Sequence, residues 1–529
     1  MSSHATILET EVLIIGGGVT GTGIMRDLAL RGIRSLLIDK RDLCAGASGG
    51  NHGLLHSGAR YVSTDLDAAM ECHRENSLLK QLAPQCIETT GGLFVAVEGD
   101  SVEFAEQFPV LCRNAGIDCE ELSPGAARKL EPLLSDKLFK ACRVPDATID
   151  PFHLAMLNVD HARQISDSAY RPHTEVLRFE VAAGEIRAAV CHDHLHNRPL
   201  TIRARQFVNA GGAWAMNIAR LAGCTDVHLL YAKGTILVSN DRLTHHVVNR
   251  LRLPGDGDIL VPGGTVSLLG TTSIRTDDLE HVEPTVEEID RNIREGAAMI
   301  PALAGARYIR AFSRVRPLLQ AAENVSDRAA TRGFALFDHV SQGVSNFCTI
   351  TGGKLTTFRL MAEKTADLVA GRLGSDQVCT TAAVPLPDVE ASSWTESGPA
   401  PRHRHQHQDK GPGDTILCEC EMVPQSAIEQ ILADAPGSGE ERAIESIALR
   451  SRVGKGPCQG SFCGIRIGSW LYDQGYYRDA TGLAHMRDFF EERFKGQRSV
   501  IWGQQAAQME LAEALHCGLL GLDTLKDDG

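Results

Sequence analysis

The chain has 529 residues, 43% hydrophobic and 23% charged, with a formal net charge of −14 at pH 7. This composition excludes a chain disordered throughout and, at roughly 100–200 residues per domain, implies three or four structural units. The acidic balance argues against a nucleic-acid binder, which needs a basic face for the phosphate backbone, and no run of about 18 apolar residues offers a membrane span.

Residues 1–10 (MSSHATILET) lack the basic start and apolar stretch of a signal peptide, so a cytoplasmic location is expected. There the 15 cysteines stay reduced rather than forming a disulfide framework. Residues 11–15 (EVLII) predict a strand, 16–23 a glycine-rich loop, 24–31 a helix stopped by Gly32, and Ser35–Ile38 a second strand ending at Asp39. That is a βαβ opening. Gly16, Gly18 and Gly21 fill the G-x-G-x-x-G pattern: the first permits a tight turn, the second a close pyrophosphate, the third close packing of helix on strand. Asp39 stands where an acid can hydrogen-bond ribose hydroxyls, which argues against a 2′-phosphate. The pattern predicts a dinucleotide site without separating FAD from NAD.

From about residue 91 to 336, short strand-like runs mix with helical stretches, implying a mixed sheet. Residues 206–212 (QFVNAGG) and 347–353 (FCTITGG) are strands running into glycines, 259–261 and 267–270 are further strands, and Val286–Met299 is a helix with Pro284 as a first-turn residue. Three stretches set cations beside turns: 56–61 (HSGARY), 313–317 (SRVRP) and 351–357 (TGGKLTT); Arg332 follows a fourth polar loop. Guanidinium groups hold phosphate or carboxylate in fork geometry and lysine adds a point charge. Such cations also stabilise an alkoxide or an anionic reduced flavin. Spacing alone does not show that they converge.

Residues 384–413 contain Pro385, Pro387, Pro399, Pro401 and Pro412 and read as a linker, with the HRHQHQ tract at 403–408 as solvated chain rather than a metal site. Beyond it, Cys418 and Cys420 form C-x-C, and Cys458 and Cys463 form C-x₄-C after a glycine loop at 454–457. Four thiolates suit an iron–sulfur cluster or zinc. The C-x-C spacing is atypical for zinc, and glycine-loop N–H groups can tune cluster sulfurs, so a [2Fe-2S] cluster is expected, with structural zinc or unliganded thiols as alternatives. The other eleven cysteines read as small buried hydrophobes. Residues 509–520 are the clearest helix of a helical C-terminal stretch.

The glycine loop with Asp39, the segment 51–61 (NHGLLHSGARY), the SRVRPL stretch around Arg316 and ITGGKLT at 350–356 together resemble the FAD-dependent glycerol-3-phosphate dehydrogenase family, among the D-amino-acid-oxidase-like flavoproteins, over residues 10–380. The cysteine quartet resembles the bacterioferritin-associated-ferredoxin-like [2Fe-2S] domain, which narrows the resemblance to the large catalytic subunit of the anaerobic glycerol-3-phosphate dehydrogenase branch. The fold class implied is α/β plus α+β. A Rossmann-like FAD-binding domain (1–95, 151–225, 340–383) would join a mixed-sheet substrate domain (96–150, 226–339). The linker 384–413, a small four-cysteine domain (414–475) and a C-terminal helical segment (476–529) would follow.

By this resemblance Gly16, Gly18, Gly21 and Asp39 would hold the ADP half of FAD. Ser48 and Asn51 would approach the flavin, Val176 the adenine, and Ala210 and Gly211 would form a turn near the cofactor. Gly353, Lys354 and Leu355 would lie by the isoalloxazine ring. Arg60, Tyr61, Arg316, Arg332 and Lys354 would contact the phosphate and oxygens of the substrate, with His56 and Lys354 as candidate general bases. The sequence departs from the aerobic branch at Gly53, where relatives carry lysine, at 233–236, where they carry histidine nearby, and at Ser313-Arg314, where Ser-Gly is usual.

The activity implied is oxidation of sn-glycerol 3-phosphate to dihydroxyacetone phosphate, with hydride passing from C2 to flavin N5, in glycerol catabolism and anaerobic respiration. Electrons would pass through Fe–S to quinone by way of two partners: a second flavoprotein subunit, where any FMN would sit, and a membrane-associated Fe–S subunit. The chain would be peripheral on the cytoplasmic side of the inner membrane. A related FAD-dependent 2-hydroxy-acid or amino-acid dehydrogenase or oxidase is the alternative; a non-catalytic redox scaffold is a more distant one.

Overall fold

The computed structural model describes residues 6–319, 333–387, 413–434 and 443–525. Val12, Leu13 and Ile14 are wholly buried, the signature of a parallel strand covered on both faces. Their strand, Thr6–Ile15, pairs in parallel with Ser35–Ile38 on one side and Arg198–Asn209 on the other. The sheet runs on through Glu185–Asp193 and Thr174–Ala182 at one edge and Ala169–Arg171 at the other. Phe347–Gly352 joins the end of Arg198–Asn209 in parallel, with Phe334–Asp338 antiparallel beyond it.

The helix after the first strand spans Val19–Leu30, starting well before the 24–31 expected from sequence. Two glycines inside it misled the propensity reading, and both are there for packing. A Cβ on Gly21 would sit 1.9 Å from the Gly16 carbonyl oxygen, and one on Gly23 would meet the Phe358 ring at 3.0 Å. The helix packs on Pro151–Ile165 and Phe358–Leu373.

A second sheet of nine strands is mixed, as its alternating runs predict. In order it comprises Ile274–Arg275, Leu229–Ser239, Val266–Gly270, Ile259–Gly263, Val247–Arg250, Gly92–Val97, Leu138–Val144 and Glu120–Leu122, with Tyr308–Leu319 along the free flank of Leu229–Ser239. Its helix, Val286–Met299, has the span read from sequence, but Pro284 lies outside the first turn. Thr285 is the N-cap: its Oγ1 accepts from Glu288 N at 3.3 Å, and Glu288 Oε2 accepts from Thr285 N at 3.1 Å.

The C-terminal unit has its own apolar core, including Ile428, Ile447, Val453, Ile467, Phe489 and Phe490. Its last helices are Thr481–Arg498 and Gln504–Glu513. The latter passes into a π-turn at Ala514–Gly518 rather than running on as one α-helix over 509–520. The unit is tied to the first by Arg450 on Asp42 (2.7 Å) and by Lys455 Nζ over the Phe152 ring (3.9 Å), and to the second by Arg310 on Glu492 (3.2 Å). Most of the expected linker, with the histidine tract, lies outside the described residues. No helix among the described residues is long and apolar enough to cross a membrane.

One buried ion pair pins the first unit together. Arg359 donates to both oxygens of Glu75, at 2.8 and 2.7 Å, where neither residue meets solvent. Glu75→Ala should destabilise the holoprotein by about 3 kcal/mol, the low end for a stranded buried charge because Glu363 still accepts from Arg359. The urea midpoint followed by tryptophan fluorescence measures this, and an unchanged midpoint would refute it.

Candidate active site

A cavity of about 690 Å³ lies between the two sheets. At one end is the glycine loop. Gly16 has φ +118°, and a Cβ there would meet the Ala210 carbonyl oxygen at 2.4 Å. Gly16 and Gly18 line the cavity, while Gly21 lies behind them and allows the helix to close on the strand. Gly18, Val19 and Thr20 at the start of the helix line the cavity, and a helix N-terminus is a ready site for phosphate; Ser48 Oγ accepts from Val19 N at 3.1 Å. Asp39 borders the cavity and accepts from Gly17 N (2.7 Å) and Arg41 N (2.8 Å). Burial raises its pKa while these two amides oppose the rise.

Val176, Ala210 and Gly211 form the adjoining wall. Asn209 Oδ1 accepts from Gly211 N at 3.1 Å and holds that turn. Asn51 borders the cavity too, but its amide is spent on its own loop, donating to Ser48 O at 2.6 Å and accepting from Gly53 N at 2.7 Å. Gly353, Lys354 and Leu355 line the opposite wall. At the rim, Glu280 from the second unit binds Lys40 and Arg41 (2.6 Å each) and Trp214 Nε1 (2.7 Å) of the first.

The far end is cationic, with Arg60, Arg316 and Lys354 lining it; Arg314 also lines the cavity but has Glu492 and Arg41 as its charged neighbours. Arg60 Nη2 is 3.1 Å from Asp258, a carboxylate that Arg252 also holds at 2.7 Å while pairing with Glu295 at 2.9 Å. Arg60 Nη1 is buried without a hydrogen-bond partner among the described residues. Arg316 Nη2 donates to Thr272 O at 2.6 Å. His56 Nε2 stands 3.3 Å from Tyr61 OH, and Lys354 Nζ sits 4.6 Å over the Tyr61 ring. Arg332 lies outside the described residues.

Sequence reasoning named the stretch that holds Arg314 but missed His52. His52 lines the cavity with Nδ1 buried and unbonded among the described residues. Burial, then Arg60 and Arg316, push its pKa down to about 3, so it is a neutral imidazole facing the guanidinium cluster. Its place in the 51–61 motif was the available signal. A glycine cradle at one end and an orphaned buried guanidinium N–H at the other are what a long dinucleotide and a small anionic substrate require.

The sequence profile of the family described as FAD dependent oxidoreductase matches residues 11–368. The chain belongs to the FAD-dependent oxidoreductase family. Within it, the chain is 38% identical to the A subunit of anaerobic glycerol-3-phosphate dehydrogenase from Escherichia coli (strain K12), over 98% of each chain, and belongs with that group. It is also 38% identical to the A1 subunit of the Haloferax volcanii enzyme of the same name, over 97% of this chain and 91% of that one. Among solved structures, the glycerol-3-phosphate dehydrogenase from Bacillus halodurans complexed with FAD superposes with a TM-score of 0.63 at 20% identity, over 94% of this chain and 96% of that one. The likeness confirms a Rossmann-like flavoprotein fold.

In this oxidoreductase the four C-terminal cysteines meet. Cys463 is in hydrogen-bond contact with Cys418 and Cys458, and Cys458 with Cys420. Backbone N–H groups of Glu421 and Gly454 are directed at Cys418, and those of Gly460 and Phe462 at Cys458. A Cβ on Gly456 would strike Cys420 at 2.3 Å, which explains the glycine loop. Among the described residues, however, no group of three or more His, Cys, Asp or Glu side chains is set to hold a metal ion. The donor chemistry of the four sulfurs suits a cluster.

Proposed function

We propose that the chain oxidises sn-glycerol 3-phosphate to dihydroxyacetone phosphate. The observation carrying this is the convergence of Arg60, Arg316 and Lys354 beside the His56–Tyr61 pair, at the end of the cavity away from the glycine loop. A carboxylate needs one guanidinium fork, whereas a phosphate monoester favours several cations. The relatives' names support the same substrate. FAD, when bound, would supply the acceptor for the hydride leaving C2, which carries both electrons. Arg60 and Arg316 hold the phosphate, His56 Nε2 takes the C2 hydroxyl proton, and Lys354 steadies the developing negative oxygen. Acid–base help of this kind is worth about 10²–10⁴-fold, and fixed cations add to it without reorganising.

The first sheet and its helices form the cofactor half; the second sheet brings Arg316 to the anion site, while Arg60 comes from the turn Ala59–Tyr61 and Lys354 from the end of Phe347–Gly352. Cys418, Cys420, Cys458 and Cys463 would hold a [2Fe-2S] cluster, which would supply one-electron transfer toward two partners, a second flavoprotein and a membrane-associated Fe–S protein, and so toward quinone. The chain works on the cytoplasmic side of the inner membrane through those partners.

An anaerobic absorption titration tests this. Excess glycerol 3-phosphate should bleach the flavin bands, and 2-hydroxyglutarate or an amino acid should not. Cys458→Ser should keep the bleaching and lose the iron–sulfur absorbance. Intact flavin bands under excess glycerol 3-phosphate would reject the assignment.

A further inference from the structure

Three cysteines outside the cavity meet behind the turn that carries Arg60. Cys112 lies in the last turn of the helix Val102–Asn114, Cys119 follows after the loop 115–118, and Cys142 sits in the strand Leu138–Val144 opposite Glu121. All three belong to one apolar cluster with Ala59, Phe94 and Phe108. Cys112 and Cys142 are buried and Cys119 is partly exposed. Cys119 accepts hydrogen bonds from Cys112 and Cys142, and these contacts lower its pKa; the same contacts, with burial, raise the other two. Cys119 is thus the reachable sulfur of the three, with a buried thiol in contact to resolve it.

We propose that Cys119 is a peroxide-reactive thiol, resolved by Cys112, whose disulfide displaces the substrate-anchoring turn Ala59–Tyr61. In the first step the Cys119 sulfur attacks hydrogen peroxide: an S–O bond forms, the O–O bond breaks and hydroxide leaves. In the second, the Cys112 sulfur gives up its proton and attacks the sulfenic sulfur: the S–S bond forms, the S–O bond breaks and water leaves. Two thiols are oxidised and one peroxide is reduced to two waters. Cys112 is favoured over Cys142 because the short loop 115–118 can yield, whereas Cys142 is fixed between two strands, opposite Phe94 and Glu121.

That loop also touches the site. The Ile117 side chain lies against Gly58, where a Cβ would meet Ile117 Cδ1 at 3.1 Å and the Ala69 carbonyl oxygen at 2.1 Å. Gly58 has φ +98° and is the residue just before Ala59–Tyr61. Drawing two sulfurs from hydrogen-bond contact to about 2.05 Å must move the loop, and Gly58 has no room to absorb the movement. A shift of Arg60 by about 1 Å can cost up to about 10²-fold. This consequence rests on Arg60 being a phosphate anchor; the thiol chemistry does not.

The full-length FAD-loaded protein, prepared anaerobically, is treated with excess hydrogen peroxide, quenched with catalase and mapped by peptide mass spectrometry with dimedone as the sulfenic-acid probe. A Cys112–Cys119 disulfide is expected in the wild type, a dimedone adduct on Cys119 in Cys112→Ser, and neither in Cys119→Ser. The KM for glycerol 3-phosphate in the flavin-bleaching half-reaction, which does not involve the cysteine quartet, should rise about tenfold on oxidation. It should return with dithiothreitol and stay constant in Cys119→Ser. Absence of both adduct and disulfide at Cys119 overturns the site, a Cys119–Cys142 bond overturns the role of Cys112, and a disulfide with unchanged KM overturns the coupling.

Discussion

Arg316→Ala should lower kcat/KM for glycerol 3-phosphate about 10²–10³-fold while leaving FAD bound. The guanidinium reaches the cavity from the long strand Tyr308–Leu319, and its Nη2 is anchored on Thr272 O. It packs against Gly234, where a Cβ would lie 2.9 Å from Nη2, so its position is fixed before any ligand arrives. Losing one partner of a buried charged contact costs about 2–5 kcal/mol, and each 1.4 kcal/mol is about tenfold. Arg316→Lys should recover only part of the loss, because a lysine is a point charge without the planar fork. Steady-state rates with an artificial acceptor, alongside flavin content, check both statements. A kcat/KM for Arg316→Ala within about twofold of wild type would remove the residue from the anion site.

Gly16→Ala should yield protein with less than about a tenth of the wild-type flavin. The backbone at Gly16 is in a region that L side chains avoid at about 1–2 kcal/mol. The new methyl would also drive into the Ala210 carbonyl at 2.4 Å, and overpacking of that kind adds about 1–3 kcal/mol. Relief can come only by separating the glycine loop from the 210–211 turn, the two walls a pyrophosphate needs close together. Gly32→Ala is the control: it too has positive φ, +73°, but nothing lies within 4 Å of its Cβ position. Gly32→Ala should keep its flavin and lose about 1 kcal/mol of stability. Flavin absorbance per protein after desalting distinguishes the two.

How far the sequence could be read depended on whether a signal was local. The strand Ser35–Ile38 and the helix Val286–Met299 announce themselves by apolar run and period, and the structure has them at those bounds. The glycine loop was legible because strand, turn and helix are consecutive. Arg60, Arg316 and Lys354 were nameable only through resemblance, since their convergence depends on two sheets meeting across residues far apart in sequence. His52 was hidden because an imidazole two residues before the short strand Leu54–Leu55 carries no periodic mark; its role comes from the guanidinium groups around it. The Cys112, Cys119 and Cys142 set was read as isolated buried thiols for the same reason: helix end, loop and strand are joined only by the fold.

The pairing of Thr6–Ile15 with Arg198–Asn209, and of that strand with Phe347–Gly352, governs how the molecule is made. The strand carrying the glycine loop leaves the ribosome long before its central neighbour. At about 5–20 residues per second, the intervening residues 16–197 take roughly ten to forty seconds to emerge. Until then the apolar run Val12–Ile15 has only one short neighbour and must be shielded. The wall bearing Lys354 arrives later still, so a nascent chain arrested before it presents a half-built vessel. Flavin loading is therefore a late event in the life of the polypeptide, and truncated translation products should be colourless and prone to clump.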